Sequence, residues 1–121
     1  MEKRIVQIDE FFGLLIAAKR KKRGMDQKKF AAKLGIQQPA LSRIERGESA
    51  VNTSMLVKLA DALEVPPSEL IIEFEQEKER LEREESIDVK PKKELPTNRA
   101  TLGKVLLGGA ALALLINRLN K

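Results

Sequence analysis

Apolar residues recur at helical spacing from the eighth residue of the chain. Ile8, Phe11, Phe12, Leu15 and Ile16 share one face of a first helix, predicted over residues 8–23. The cations Lys19 to Arg23 come next, where they suit the negative end of the helix macrodipole, and Gly24 supplies a stop. Asp26 is a good N-cap for a second helix, QKKFAAKLG, with Phe30, Ala31 and Leu34 inward and Gly35 at its end. A third helix is predicted from about Gln38 to Arg46. Pro39 sits in its first turn, where a missing N–H costs little, Leu41 and Ile44 point inward, and Gly47 terminates it. Thr53 or Ser54 caps a fourth helix carrying Met55, Leu56, Leu59, Ala60 and Leu63. VPPSELI breaks that helix, and Ser68 caps a fifth with Glu69 in its first turn.

The pattern changes after Phe74. A continuation of the fifth helix through EFEQEKERLEREES has Leu81 as its only large apolar residue. A helix that polar is marginal unless a partner packs on it. IDVKPKKELPTN, with Pro91 and Pro96, reads as a linker, and the chain ends with RATLGKVLLGGAALALLINRLNK. No internal repeat is visible. Five short helices cannot each bury a core alone, so residues 1–74 are expected to pack as one unit. Residues 75–97 are expected to form a charged helical extension and linker, and residues 98–121 a hydrophobic helix. The fold class is all-α.

Composition removes several chemistries. The 121 residues include no Cys and no His. Disulfides, Cys/His zinc sites and thiol or imidazole catalysis are thereby excluded. Carboxylates, Ser and Lys remain but show no pairing with catalytic logic, and no Gly-rich phosphate loop is present. A non-enzyme without a cofactor is expected. Charge is unevenly placed: residues 1–47 hold 12 basic and 5 acidic side chains, residues 48–85 hold 4 and 11, and residues 86–121 hold 7 and 2. A basic first block is the footprint expected for nucleic acid or an anionic surface, although a solvated charged face is the plainer reading. The first ten residues are charged, and the apolar run Phe11 to Ala18 is short and lacks a cleavage site. No signal peptide is therefore expected, and the N-terminal part is expected in the cytosol.

Two consecutive helices joined at Gly35 have the spacing of a helix-turn-helix, whose second helix enters the major groove. Arg20, Gly24, Gln27 at the start of helix two, FAAKLGI, LSRIERGE and LVKLADALEVPPSELI carry a wider likeness. Residues 12–71 resemble the Cro/C1-type, or XRE-family, DNA-binding domain of bacterial and phage regulators. The resemblance implies a five-helix, lambda-repressor-like fold. It implies a backbone contact for Gln27, and an exposed recognition front for Gln37, Gln38 and Arg43. Ser42 matches a small hydroxyl position on that helix, and Arg20 and Glu45 match a buried ion pair joining helix one to the end of helix three. Double-stranded DNA is the implied partner, bound by a homodimer or higher oligomer on near-palindromic operators. Two positions depart from the family pattern: Gln37 stands where Ser or Thr is usual as N-cap, and Met25-Asp26 replaces an apolar residue followed by Ser or Thr.

Side-chain chemistry supports those roles separately. Gln offers an acceptor and two donors, which match adenine N6/N7, and Arg matches guanine O6/N7. Gln38 and Arg43 are five residues apart, about 140° round a helix, so they flank one exposed face. Ala40 is small enough to meet a thymine methyl. Each good bidentate contact is worth about 1–3 kcal/mol of base discrimination. The candidate base-reading set is Gln37, Gln38, Ala40 and Arg43, and the plain alternative for the glutamines is exposed polar surface. The candidate backbone set is Gln27, Lys28, Ser42, Arg46 and Lys22. Lys19, Lys21, Arg23 and Lys29 are further cations near it, some of them merely solvated. Arg20 and Glu45 are expected to orient the helices.

The tail leaves three readings open. VLLGGAALALLI, Val105 to Ile116, is twelve uncharged apolar residues. As a helix it is about 18 Å long, against a hydrocarbon core of about 30 Å. Extension to Leu102 and Leu119 gives about 27 Å and brings in Lys104, Asn117 and Arg118. Lys104 and Arg118 lie near the ends, where long cations snorkel, and Gly109 and Ala113 form a small-xxx-small pair. A membrane anchor through residues 102–119, on the inner face of the cell membrane, is one reading. An oligomerisation helix is the second, and a tail ordered only in an assembly is the third. Arg118 and Lys121 beyond the span run against the positive-inside bias. The leading function is sequence-specific DNA binding with transcriptional regulation, by repression. A protein that tethers DNA to a membrane or an assembly, and a module whose helix-turn-helix meets protein, are the alternatives.

Overall fold

A computed structural model describes residues 4–84 and 87–91 of the chain. The elements run in the order β1 (Arg4–Gln7), α1 (Ile8–Lys22), α2 (Gln27–Leu34), α3 (Gln38–Glu45), α4 (Thr53–Ala62), α5 (Pro67–Glu84) and β2 (Ile87–Lys90). The hydrophobic helix expected at residues 98–121, and with it the membrane and oligomerisation readings, lies outside the described residues. Among those described, no helix is long and apolar enough to cross a membrane.

The five helices enclose one apolar core. Phe11, Leu15 and Ile16 of α1, Phe30 of α2, Leu41 of α3, Leu59 of α4 and Leu70 of α5 are all essentially hidden from water. Full burial of such a side chain is worth about 1.5–3 kcal/mol, so these residues supply most of the driving force. Helix α1 lies directly on the end of α3. A Cβ on Gly13 would stand 2.4 Å from the Ile44 carbonyl oxygen and 2.5 Å from that of Glu45. Only glycine allows that approach. Gly47, just past α3, has φ +76°, and a Cβ there would stand 2.4 Å from Glu10 Cα. The turn after α3 is thus seated on the first turn of α1.

Helix ends obey local chemistry, with two shifts from the sequence-based expectation. Asp26 caps α2 by accepting from the Lys29 N–H at 2.7 Å. Gly35 closes α2 in the left-handed region, at φ 72°. Asn52, rather than Thr53 or Ser54, caps α4, accepting from the Met55 N–H at 2.8 Å. An Asn carbonyl at that position competes well with a hydroxyl one residue on. Helix α5 opens at Pro67 rather than after a Ser68 cap. The Pro66 carbonyl takes the N–H groups of Glu69 and Leu70, and Pro67 has no N–H to satisfy.

The larger correction concerns the all-α expectation. Residues 4–7 and 87–90 form a two-stranded parallel sheet, with Arg4 opposite Ile87, Ile5 opposite Asp88, Val6 opposite Val89 and Gln7 opposite Lys90. IDVK is therefore a strand rather than the start of a linker. The whole helical domain is the connection between the two strands, which close on α5 as a clasp. Leu81 is 1% exposed and joins Val6 and Val89 in the core. The partner that the polar helix lacked is this pair of strands. Helix α5 runs unbroken across residue 74 as a result.

Candidate functional site

Helices α2 and α3 pack against each other and against the rest of the domain through their buried faces, which leaves one edge of α3 open. Gln37, Gln38 and Arg43 are exposed there, and Ala40 and Ser42 are half-buried between them. Gln37 stands at the N-cap of α3 and makes no side-chain cap bond. Pro39 removes one of the donors such a cap would serve. The Gln37 carbonyl accepts from the N–H groups of Ala40 and Leu41. Its amide side chain is thus left to face outward. Arg43 has no side-chain partner among the described residues.

Behind this edge lies a chain of polar contacts. Arg20 holds Glu45 with two parallel bonds, Nε to Oε2 at 2.8 Å and Nη2 to Oε1 at 3.1 Å. Its Nη1 donates to the Met25 carbonyl at 2.8 Å. Both side chains are more than nine-tenths hidden from solvent. A buried pair of this kind is tolerable only because its donors and acceptors are used. Glu45 Oε1 also accepts from Gln27 Nε2 at 2.8 Å. Gln27 Oε1 in turn takes a long bond, 3.4 Å, from Gln38 Nε2. Gln27, which the family pattern directs at a DNA backbone, is therefore braced inward as well. Sequence spacing alone held no sign of the Glu45–Gln27–Gln38 link, because it joins residues from different helices.

The surrounding cations divide into two groups. Lys19 pairs with Glu73 at 2.5 Å, and Arg23 pairs with Glu64. These two are turned toward the acidic half of the domain. Lys21, Lys22, Lys28 and Lys29 are exposed with no side-chain partner among the described residues. Arg46 is exposed and bonded to Glu48, Nε to Oε2 at 2.6 Å. Glu48 is a neighbour that sequence reasoning missed. The R-x-E spacing across the Gly47 turn was the available signal. An exposed pair of this sort is worth about 0–1 kcal/mol and exchanges readily for another anion.

The arrangement offers an edge of amides and one free guanidinium on α3, with the exposed Lys28 and Lys29 in the first turn of the neighbouring α2; Lys22 instead stands with Lys19, Arg23, Leu63 and Val65 at the end of α1. Gln38 spends one of its two N–H bonds on Gln27. It keeps one donor and its carbonyl acceptor for another molecule, the pair that an adenine edge requires. Among the described residues no group of carboxylates is placed to hold a metal ion.

Comparison with known proteins places the edge in context. A family model described as helix-turn-helix matches residues 16–70. The clp gene regulator ClgR from Corynebacterium glutamicum is similar in structure, with a TM-score of 0.54 at 23% identity, over 57% of this chain and 73% of that one. That likeness shows the fold. The restriction-modification controller protein C.AhdI from Aeromonas hydrophila is 31% identical over 50% of this chain and 92% of its own, with a TM-score of 0.48. The DNA-binding domain of the P22 C2 repressor is 30% identical over 59% of this chain and 86% of its own, with a TM-score of 0.47. No curated protein matches the chain.

Proposed function

We propose that this chain, which belongs to the Cro/C1-type helix-turn-helix family through residues 16–70, is a sequence-specific DNA-binding transcriptional regulator that represses by occupying its operator. The observation that carries the reading is the exposed edge of α3, with Gln38 braced through Gln27 and Glu45. Helix α3 lies in the major groove. Gln38 reads adenine, Arg43 reads guanine O6/N7, Ala40 meets a thymine methyl, and Gln37 reaches the neighbouring base. Ser42, the second amide hydrogen of Gln27, Lys22 and Lys28 meet phosphates, and Arg46 joins them by exchanging Glu48 for a phosphate oxygen. The protein acts as a homodimer, so that two α3 helices address half-sites about 34–36 Å apart.

Two kinds of variant test this. Arg43→Ala removes a base contact, so the preference for guanine at one position falls by about 5- to 150-fold, from the 1–3 kcal/mol of one bidentate pair. Lys28→Ala removes a phosphate contact, so all sequences weaken alike and the slope of log affinity against log salt falls by about 1. Titration of base-scanned duplexes at several salt concentrations reads both effects. An unchanged base preference in the Arg43 variant would overturn the assignment of α3 as the reading helix.

A further inference from the structure

Among the described residues an apolar concavity is left open beside the first turn of α1, next to the residues that follow the Gly47 turn. Ile8, Phe12, Val51, Leu56, Ile71 and Phe74 line a groove of about 240 Å³ between the starts of α1 and α4 and the first half of α5, with the polar Asp9, Asn52 and Thr53 along it. Ile71 is 36% exposed there. Single exposed apolar side chains need no explanation, but apolar side chains gathered along one groove are a candidate binding surface.

Three observations point to its occupant. The first is where the chain leaves the fold. Strand β2 runs parallel to β1 with Lys90 opposite Gln7, and the residue after Gln7 is Ile8, which lines the groove. The chain thus departs beside the groove's own edge. The second is the sequence beyond β2. Fourteen residues lead from Pro91 to Val105, and Val105–Ile116 is a run of twelve uncharged apolar residues. Fourteen residues reach up to about 50 Å, more than enough to return to the surface they left. A tether that short raises the local concentration of the segment to the order of mM. The third is charge. Residues 86–121 hold 7 basic and 2 acidic side chains, while residues 48–85, which include α4 and α5, hold 4 and 11. Asp9 stands on the groove itself.

We propose that Val105–Ile116 docks into this groove of its own chain. The apolar side chains fill the concavity between α1, α4 and α5, and Lys104 and Arg118 at the ends of the segment meet the acidic surroundings. The tail is then an internal cover for the domain rather than a membrane span.

The absence of cysteine permits a direct test on the full chain. Asn117→Cys provides one site for a nitroxide next to the segment. Methyl resonances of Ile8, Leu56 and Ile71 should then broaden severalfold more than those of Leu63 and Val65, which lie by Lys22 and Arg23 at the far end of α1. Leu112→Lys in the labelled chain should abolish that difference without touching the domain. A mixture of nitroxide-bearing chains with separate isotope-labelled chains should show none of this preferential broadening at the groove methyls. Such broadening in the mixture would mean that a second copy fills the groove, and would overturn the proposal. Equal, weak broadening at both ends of α1 would also overturn it. So would loss of the groove signal on adding phosphatidylglycerol–phosphatidylcholine vesicles, with the chain sedimenting alongside them.

Discussion

Arg20 is 6% exposed and Leu81 is 1% exposed, so water reaches neither, yet the two regions they anchor are built on opposite principles. Around Arg20 the contacts are directional. A guanidinium, a carboxylate and two amides are joined in series from α1 through α3 and α2 back to the exposed front of α3. Around Leu81 they are not. Val6, Val89 and Leu81 pack as apolar volume under two short strands. Burying charge is a poor way to gain stability, since desolvation offsets most of the attraction. The network therefore makes sense as a positioning device, which holds Gln38 where an orientation matters. The strand clasp fixes nothing that must face another molecule. It closes the back of the domain, where nondirectional burial suffices.

The largest effect expected from breaking this contrast is at Arg20. Arg20→Ala leaves Glu45 charged and buried without its partner, which costs about 3–5 kcal/mol in urea unfolding. Replacing both partners by apolar residues of similar size, Arg20→Met with Glu45→Leu, should recover much of that loss. On the proposed reading, the double variant should nevertheless discriminate less well at the base assigned to Gln38, because Gln27 loses its brace. If the double variant keeps full base preference, the network is a stabilising element only, and the contrast with Leu81 disappears.

Leu81→Ala should cost less, about 2–3 kcal/mol, at the low end for a buried leucine, because a clasp at the domain edge relaxes into the space. Its signature is local. Amide protons of Val6 and Val89 should exchange faster, while those of α3 keep their protection and affinity for a duplex stays within about twofold at a temperature where the protein is folded. Equal loss of protection in α3 would show that the front and the clasp unfold as one unit.

The same contrast explains how much of the molecule was legible in its sequence. The α2–α3 unit was readable because its signals are local: the Asp26 cap, Gly35, Pro39 and the period of Phe30, Leu34, Leu41 and Ile44 all lie within about twenty residues. The clasp was not, because a four-residue strand carries little periodicity and its partner lies far along the chain, at the other end of the helical domain. In IDVK the alternation of Ile87 and Val89 with Asp88 and Lys90 was present, but Pro91 directly after it favoured a linker. Leu81, isolated among charges, was the better clue, since a lone leucine on a polar helix implies a partner. At the site, residue identity was enough to name Gln37, Gln38 and Arg43. The brace behind Gln38 depends on helices meeting in space and could be seen only once they had.

The smallest effect lies at the seam between the two regions. Strand β1 runs straight into α1, and Glu10, in the first turn of α1, sits under Gly47 at the end of the α3 turn. Burial raises the Glu10 carboxyl above its ordinary value of 4.5. A carboxylate in the first helical turn gains about 0.3–1 kcal/mol from the macrodipole, so the upward direction means that desolvation outweighs that gain. The folded state then binds the Glu10 proton more tightly than the unfolded chain does. Stability contributed by this residue is highest below pH 4.5, falls as pH rises through the window up to the raised value, and stays reduced above it. Glu10→Gln keeps the shape and removes the charge. It should be more stable than the parent at about pH 7, and that advantage should vanish below pH 4.5, as read from urea midpoints at the two pH values. A variant less stable than the parent at neutral pH would mean that the macrodipole, not burial, governs the seam. Because Glu10 touches the turn that ends α3 while lying just after β1, hydrogen exchange in the variant also reports which region the seam supports. Slower exchange at the α3 turn alone assigns Glu10 to the front, and slower exchange at Val6 as well makes α1 the element through which front and clasp are coupled.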